Sequence, residues 1–260
     1  MTTTESWLID LDGVLWLAKE PIPGSADALA RLRASGRRLG FFTNNSYAPH
    51  AELVGRFTRF GIEIAAEELL SSAQAAARLV APGERAYVVG GPGTREALAA
   101  RGATLLDALP GEDVVVDAVV VGRDPEFDAA RLATAVRAVL AGARLIGTND
   151  DALFPTPRGP MPGGGTMLAA VAYGAGATPL VAGKPNDPAL ELIEERLGEV
   201  AVVVGDRPET DGGIARRIGA RFALVHSGVT PADHGPLDPA PDEEAPDLAA
   251  LVRSVLGWGR

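Results

Sequence analysis

Two aspartates, Asp10 and Asp12, stand two residues apart in Trp7-Leu-Ile-Asp-Leu-Asp-Gly-Val-Leu-Trp16, where an apolar run ends and Gly13 follows at once. Side chains two apart on a strand share a face, so both carboxylates point the same way while Leu11 packs opposite. At about 6 Å and an effective dielectric near 20, their repulsion is roughly 3 kcal/mol. A cation, a shared proton or full solvation has to offset it. A third carboxylate, Asp206, closes another apolar run, "VVVGD". Oxygen-only ligation by a few carboxylates and waters, with room left for a phosphate oxygen, is what Mg²⁺ prefers.

The same groups support covalent chemistry. One carboxylate can attack phosphorus and form an acyl phosphate, while the second protonates the leaving oxygen and later deprotonates water. A phosphoryl group carries two charges, so positive charge and hydrogen-bond donors must converge on it. Of 24 basic residues only two are lysines, Lys19 and Lys184, and Lys184 directly follows the strand-like "PLVAG". An ammonium is a compact point charge with three donors, unlike the planar guanidinium the chain otherwise uses. Thr43 and Asn44, in "TNNS" (43–46), offer a hydroxyl and a backbone amide at another strand end.

Positioning these groups requires strands and helices in alternation. Strand-like runs fall at 6–11, 37–43, 86–91, 118–122, 179–183, 200–205 and 220–226; helix-like segments fall at 25–36, 48–61, 94–101, 128–141, 164–175, 188–197 and 247–256. This is the pattern of an α/β protein with a mostly parallel sheet. In parallel sheets the carboxyl ends of strands open onto the ligand crevice. Four polar clusters sit at such ends, up to about two hundred residues apart. The middle of the chain has its own strands and helices but few such clusters, which predicts an inserted second domain. The expected division is a core of 1–76 and 179–260 around an insert of 77–178. The segment "HGPLDPAPDEEAPD" (234–247) reads as a solvated loop.

Composition narrows the alternatives. Hydrophobic residues make up 47% of 260, ample for packed cores, and there is no cysteine for a disulfide or thiolate site. The apolar runs are too short and interrupted to span a bilayer, and "MTTTESW" lacks the regions of a secretory signal. A formal net charge of −10 argues against nucleic acid and chiefly serves solubility. A soluble, cytoplasmic protein without membrane or nucleic-acid partners is expected.

In order along the chain, "DLDGVL", "FFTNNS", "GKP" and "GDRPETD" resemble the four motifs of the haloacid dehalogenase (HAD) superfamily of phosphatases. "DGVLW", "IPGSADAL", "GTNDDALFP", "PGGGTMLAAV" and "HSGVT" extend the resemblance, over roughly 6–230, to the NagD-like nitrophenylphosphatase and phosphoglycolate phosphatase branch. That branch implies a Rossmann-like core with a large α/β cap inserted between the second and third motifs.

It also implies roles. Asp10 is then the nucleophile and a metal ligand, and Asp12 the general acid/base whose main-chain carbonyl also faces Mg²⁺. Asp206 matches the third metal ligand, and Asp211 a supporting acid for the lysine or metal waters. Thr43, Asn44 and Asn45 match the phosphate-binding loop, with Gly13 permitting close backbone approach beside the phosphate. Lys184 matches the charge-neutralising lysine. The resemblance further implies a homodimer through the cap. Because phosphoryl chemistry benefits from water control while substrate must enter, the cap is expected to open and close, with hinges near Ser71–Gln74 and Thr178–Gly183 where the two connections cross.

Departures from the pattern are local. Gly212 and Gly213 directly follow "GDRPETD", which predicts a looser helix start, and Asn149-Asp150-Asp151 stands where the branch commonly has Asn-Pro-Asp. Arg123, Asn149, Asp150 and Asp151 are the candidates for substrate selectivity. "GGPG" (90–93) reads as a turn into a helix, and "PGGG" (162–165) as a helix start. His50, His226 and His234 are isolated and read as surface or packing residues. The expected activity is Mg²⁺-dependent hydrolysis of small phosphate monoesters through an aspartyl-phosphate. The alternatives are a phosphotransferase of the same superfamily and a non-catalytic binder of a phosphorylated ligand.

Overall fold

A computed structural model describes residues 5–108, 112–154 and 159–257. Parallel sheets flanked by helices make it an α/β protein. The chain divides into two compact units, one of 1–43, 53–70 and 190–260, the other of 44–52 and 71–189.

The first unit holds a six-stranded sheet in the order Glu243–Ala245, Arg221–Val225, Val202–Gly205, Ser6–Ile9, Arg38–Thr43, Leu69–Ser71. Ser6–Ile9 is central and buried along its whole length, paired in parallel with Val202–Gly205 and with Arg38–Thr43. Continuous apolar runs such as "WLI" and "VVV" suit a sheet covered on both faces. The register sets Ile9 beside Val204 on one side and Phe41 on the other. Asp10, Thr43 and Asp206 therefore leave the same sheet edge within two residues of those partners. Helices cover this sheet; Ser25–Ala34 buries Ala28, Leu29 and Leu32.

The second unit has a five-stranded sheet in the order Leu180–Val181, Arg144–Gly147, Ala118–Val121, Arg85–Val89, Thr104–Leu106, every neighbour parallel. Helices Ala129–Leu140 and Gly164–Ala175 pack with it around Val119, Val121, Ala135, Leu145, Leu168 and Val171.

The second unit takes in residues 44–52, 71–76 and 179–189 besides 77–178, and Leu180–Val181 joins its sheet by pairing with Arg144–Gly147. Four strands of these two sheets escaped sequence reading: Leu69–Ser71, Thr104–Leu106, Arg144–Gly147 and Glu243–Ala245. Leu69–Ser71, Thr104–Leu106 and Glu243–Ala245 are three residues long and lie at sheet edges, where short strands are favoured, whereas the four-residue Arg144–Gly147 lies inside its sheet. Glu243–Ala245 thus turns part of the expected 234–247 loop into a parallel edge strand.

Candidate active site

At the carboxyl edge of the first unit's sheet, Asp10, Asp206 and Asp211 each present a carboxylate oxygen, and the three lie within 4.8 Å of one another. Asp10 N–H donates to Val204 O at 2.9 Å, extending the ladder one residue beyond the strand and fixing Asp10 beside the end of Val202–Gly205. Asp206 and Asp211 are 2% and 1% exposed, so this negative charge is withdrawn from bulk water.

Asp206 is gripped from two sides. Val229 N–H donates to its Oδ2 at 2.7 Å, and Thr230 Oγ1 donates to its main-chain oxygen at 2.6 Å. A Cβ at Gly13 would stand 2.3 Å from Asp206 Oδ2, and one at Gly228 1.9 Å from it, so both backbones form a cradle only glycine allows. Gly13 also has φ +87°, a conformation that L side chains rarely adopt. Ser227 Oγ donates to Gly13 O at 2.7 Å and ties the two walls together.

Asp211 reaches the cluster through an irregular turn. Residues Pro208–Gly212 form a π-helical turn before the short helix Gly213–Ile218, where the two glycines predicted a looser start. Such turns are rare and concentrate at functional sites. Arg207 N–H donates to Asp211 Oδ2 at 3.2 Å, and the carboxylate lies over Gly205, where any Cβ would be 2.1 Å from Cγ.

Three crowded carboxylates, two of them buried and Asp10 half-buried, favour a cation among them. An oxygen-only set of this kind, on fixed main-chain supports, fits Mg²⁺. Asp12 stands apart from that set by its side chain: Oδ1 accepts from Trp16 Nε1–H at 3.0 Å. Trp16 is fully buried, edge-on to Phe57 at 5.0 Å and beneath the Arg56 guanidinium at 5.3 Å. The indole therefore orients the carboxylate expected to move protons, a partnership that spacing alone did not reveal. Thr43 ends its strand 2% exposed.

The remaining motif residues belong to the second unit. Lys184 is 3% exposed. Asn44 holds its main chain by a reciprocal pair: Lys184 N–H donates to Asn44 Oδ1 at 2.9 Å, and Asn44 Nδ2–H donates to Lys184 O at 3.2 Å. Asn44 O in turn accepts from Ser72 Oγ at 2.8 Å and from Asn149 Nδ2–H at 2.7 Å. Asn45 Oδ1 accepts from Tyr47 N–H at 3.0 Å and closes an Asx turn.

Among the selectivity candidates, Asn149 is 5% exposed and spends its amide on Asn44 and on Asp151 N–H, so its side chain supports the motif loop. Asp150 is exposed and Asp151 partly so. The Arg123 guanidinium lies 4.5 Å from the Phe154 ring centre and 5.1 Å from that of Tyr47, held by two aromatic faces.

The chain's relatives fit this geometry. Residues 7–104 match the haloacid dehalogenase-like hydrolase family and residues 181–251 a HAD-hydrolase-like family. An acid sugar phosphatase of Staphylococcus saprophyticus is 35% identical over 237 residues, covering 88% of this chain and 89% of the relative. This chain belongs to the haloacid dehalogenase-like hydrolases. Among solved structures, p-nitrophenyl phosphatase from Archaeoglobus fulgidus superimposes with a TM-score of 0.87 at 30% identity, covering 96% of this chain and 99% of that one. A glycerol phosphate phosphatase from Mycobacterium tuberculosis, solved in complex with magnesium, has a TM-score of 0.84 at 32% identity, with coverages of 95% and 76%. The NagD-like branch is thus the part of the family to which this HAD hydrolase is similar, as "DGVLW" and "HSGVT" suggest.

Proposed function

We propose that this HAD hydrolase is a Mg²⁺-dependent phosphatase of small phosphate monoesters that works through an aspartyl-phosphate on Asp10. The observation that carries the reading is the convergence of Asp10, Asp206 and Asp211 at one sheet edge, with Asp12 held separately by Trp16. The relatives named for acid sugar, glycerol phosphate and p-nitrophenyl phosphate support the same reaction class.

Asp10, Asp206 and the Asp12 carbonyl would hold Mg²⁺, with Asp211 supporting the set. When bound, the ion supplies positive charge against which carboxylate and phosphoryl oxygens can approach. The residues do the rest. Asp10 attacks phosphorus, the ester P–O bond breaks, and Asp12 gives its proton to the leaving oxygen. Asp12 then takes a proton from water, whose oxygen attacks phosphorus and releases inorganic phosphate with Asp10 restored. Thr43, with Asn44 and Asn45, is assigned to the phosphoryl oxygens, and Lys184 to neutralising their charge.

Phosphate release from a panel of monoesters, with p-nitrophenyl phosphate as reference and with and without Mg²⁺, tests the reading. Metal-dependent release supports it; no release from any ester would favour a ligand-binding protein instead. Arg123, Asp150 and Asp151 are assigned to substrate choice.

A cytoplasmic location and a homodimer through the second unit complete the reading. Among the described residues no helix is long and apolar enough to cross a membrane. Tyr173 is 93% exposed beside a groove of about 690 Å³ lined by Ala169, Ala172 and Val181, an apolar surface suited to a second copy. Sedimentation of the intact protein distinguishes monomer from dimer.

A further inference from the structure

His226 and His234 read as isolated in the sequence, yet the fold brings them together with Glu244 on the edge of the first unit's sheet. His226 directly follows the strand Arg221–Val225, and its N–H donates to Ala245 O at 3.0 Å on the neighbouring edge strand. Glu244 lies in that edge strand, beside Leu224. His234 lies in the connection between the two strands. One ring nitrogen from each histidine and one Glu244 oxygen lie within 4.8 Å of one another.

The ring contacts make Nδ1 a donor in each imidazole. His226 Nδ1 lies 3.3 Å from Thr230 O, and His234 Nδ1 2.6 Å from Gly235 O. A carbonyl oxygen only accepts, so both Nδ1 atoms donate. Both Nε2 atoms point at the same carboxylate oxygen, 3.1 Å and 3.0 Å from Glu244 Oε2: protonated, each ring donates to it, and neutral, each turns a lone pair toward it. A divalent cation between the three atoms would take the place of the two Nε2 protons. Backbone carbonyls on the far ring nitrogens are also the support that metal-bound histidines ordinarily have.

We propose that His226, His234 and Glu244 form a second divalent-metal site, chemically distinct from the carboxylate cluster and suited to Zn²⁺. Two imidazoles and one carboxylate, with water as fourth ligand, match that ion and are a poor set for Mg²⁺. Bonds of about 2.0–2.1 Å give a tetrahedral edge of about 3.3 Å, so the Nε2–Oε2 separations need to open only slightly.

The site has a structural consequence. It closes the connection from 226 to 244, and that connection begins with the loop whose Ser227 and Val229 hold Gly13 and Asp206. An ion at the sheet edge would therefore stiffen one wall of the catalytic cradle.

The test is zinc binding by the intact protein, measured by competition with a chromogenic chelator in excess Mg²⁺, so that the carboxylate cluster is not counted. One Zn²⁺ per chain is expected. His234→Ala and Glu244→Gln should each weaken it at least about tenfold, since even loss of a ligand's supporting partner costs that much. Asp206→Asn should leave it unchanged. Co²⁺ in place of Zn²⁺ should give visible tetrahedral bands in the wild type that His234→Ala abolishes. His234 sits in an irregular segment, and far-ultraviolet circular dichroism checks that each variant folds. No stoichiometric zinc, or zinc that survives both His234→Ala and Glu244→Gln, overturns the proposal and leaves a pair of imidazoles hydrogen-bonding one carboxylate.

Discussion

Gly13 lies so close to Asp206 that a methyl group at position 13 would stand 2.3 Å from Asp206 Oδ2. The main chain of the first motif is thereby the wall against which a buried carboxylate of the fourth is set. Gly13→Ala forces a side chain into φ +87° and pushes that carboxylate aside. Backbone strain of about 1–2 kcal/mol is expected, with turnover falling about 100-fold because small misplacements at a reacting centre have effects of that order. Thermal unfolding and kcat at saturating Mg²⁺ check the two parts separately.

Asn44 offers a second lever, since its amide satisfies both the N–H and the carbonyl of Lys184. Asn44→Ala leaves the Lys184 N–H without that acceptor, which costs about 1–3 kcal/mol of stability and lets the lysine main chain drift. Asn44→Asp keeps the acceptor and loses the donor, so it should lie between wild type and Ala in both stability and kcat. Equal effects of the two substitutions would show that the reciprocal pair does not position Lys184.

Trp16 bears on proton transfer through one bond, Nε1–H to Asp12 Oδ1. Trp16→Phe preserves most of the packing against Phe57 and removes the donor. Stability should fall by about 1 kcal/mol. The kcat should fall about tenfold with KM little changed, the signature of a group that acts on the chemical step. A rise in KM alone would assign the indole to packing.

Acid sensitivity has a marker in the second unit. Asp117 is held below the ordinary carboxylate range by the Arg85 main-chain N–H first and by the Arg85 guanidinium next. A depressed folded pKa contributes stability above the unfolded value, near 3.9, that disappears as pH falls through the folded value. Asp117→Asn should therefore destabilise the protein at neutral pH, with the deficit shrinking below about pH 4. Denaturant unfolding across pH checks it, and a deficit independent of pH would contradict the linkage.

Sequence made much of this legible, for identifiable reasons. Strands covered on both faces leave unbroken apolar runs, so Ser6–Ile9 and Val202–Gly205 stand out, and the aspartates that end them mark the site. Asp211 was visible as a family acid, but its reach to Asp10 depends on the π-helical turn and on the missing Cβ of Gly205. No periodicity encodes that. Asn149 is a selectivity candidate by its place in the sequence, whereas its support of Asn44, a contact spanning 105 positions, has no local signal. His226 and His234 looked unrelated because their common partner, Glu244, lies on a short charged edge strand that reads as loop.

Asp10 carries the account's central claim, and its most direct test is phosphate release from p-nitrophenyl phosphate in Mg²⁺ by the wild type beside Asp10→Asn. The account predicts that the variant folds with an unchanged circular-dichroism spectrum and turns over at least about 10⁴-fold more slowly, since it lacks the nucleophile. A folded Asp10→Asn enzyme that keeps a tenth or more of the wild-type rate would contradict it.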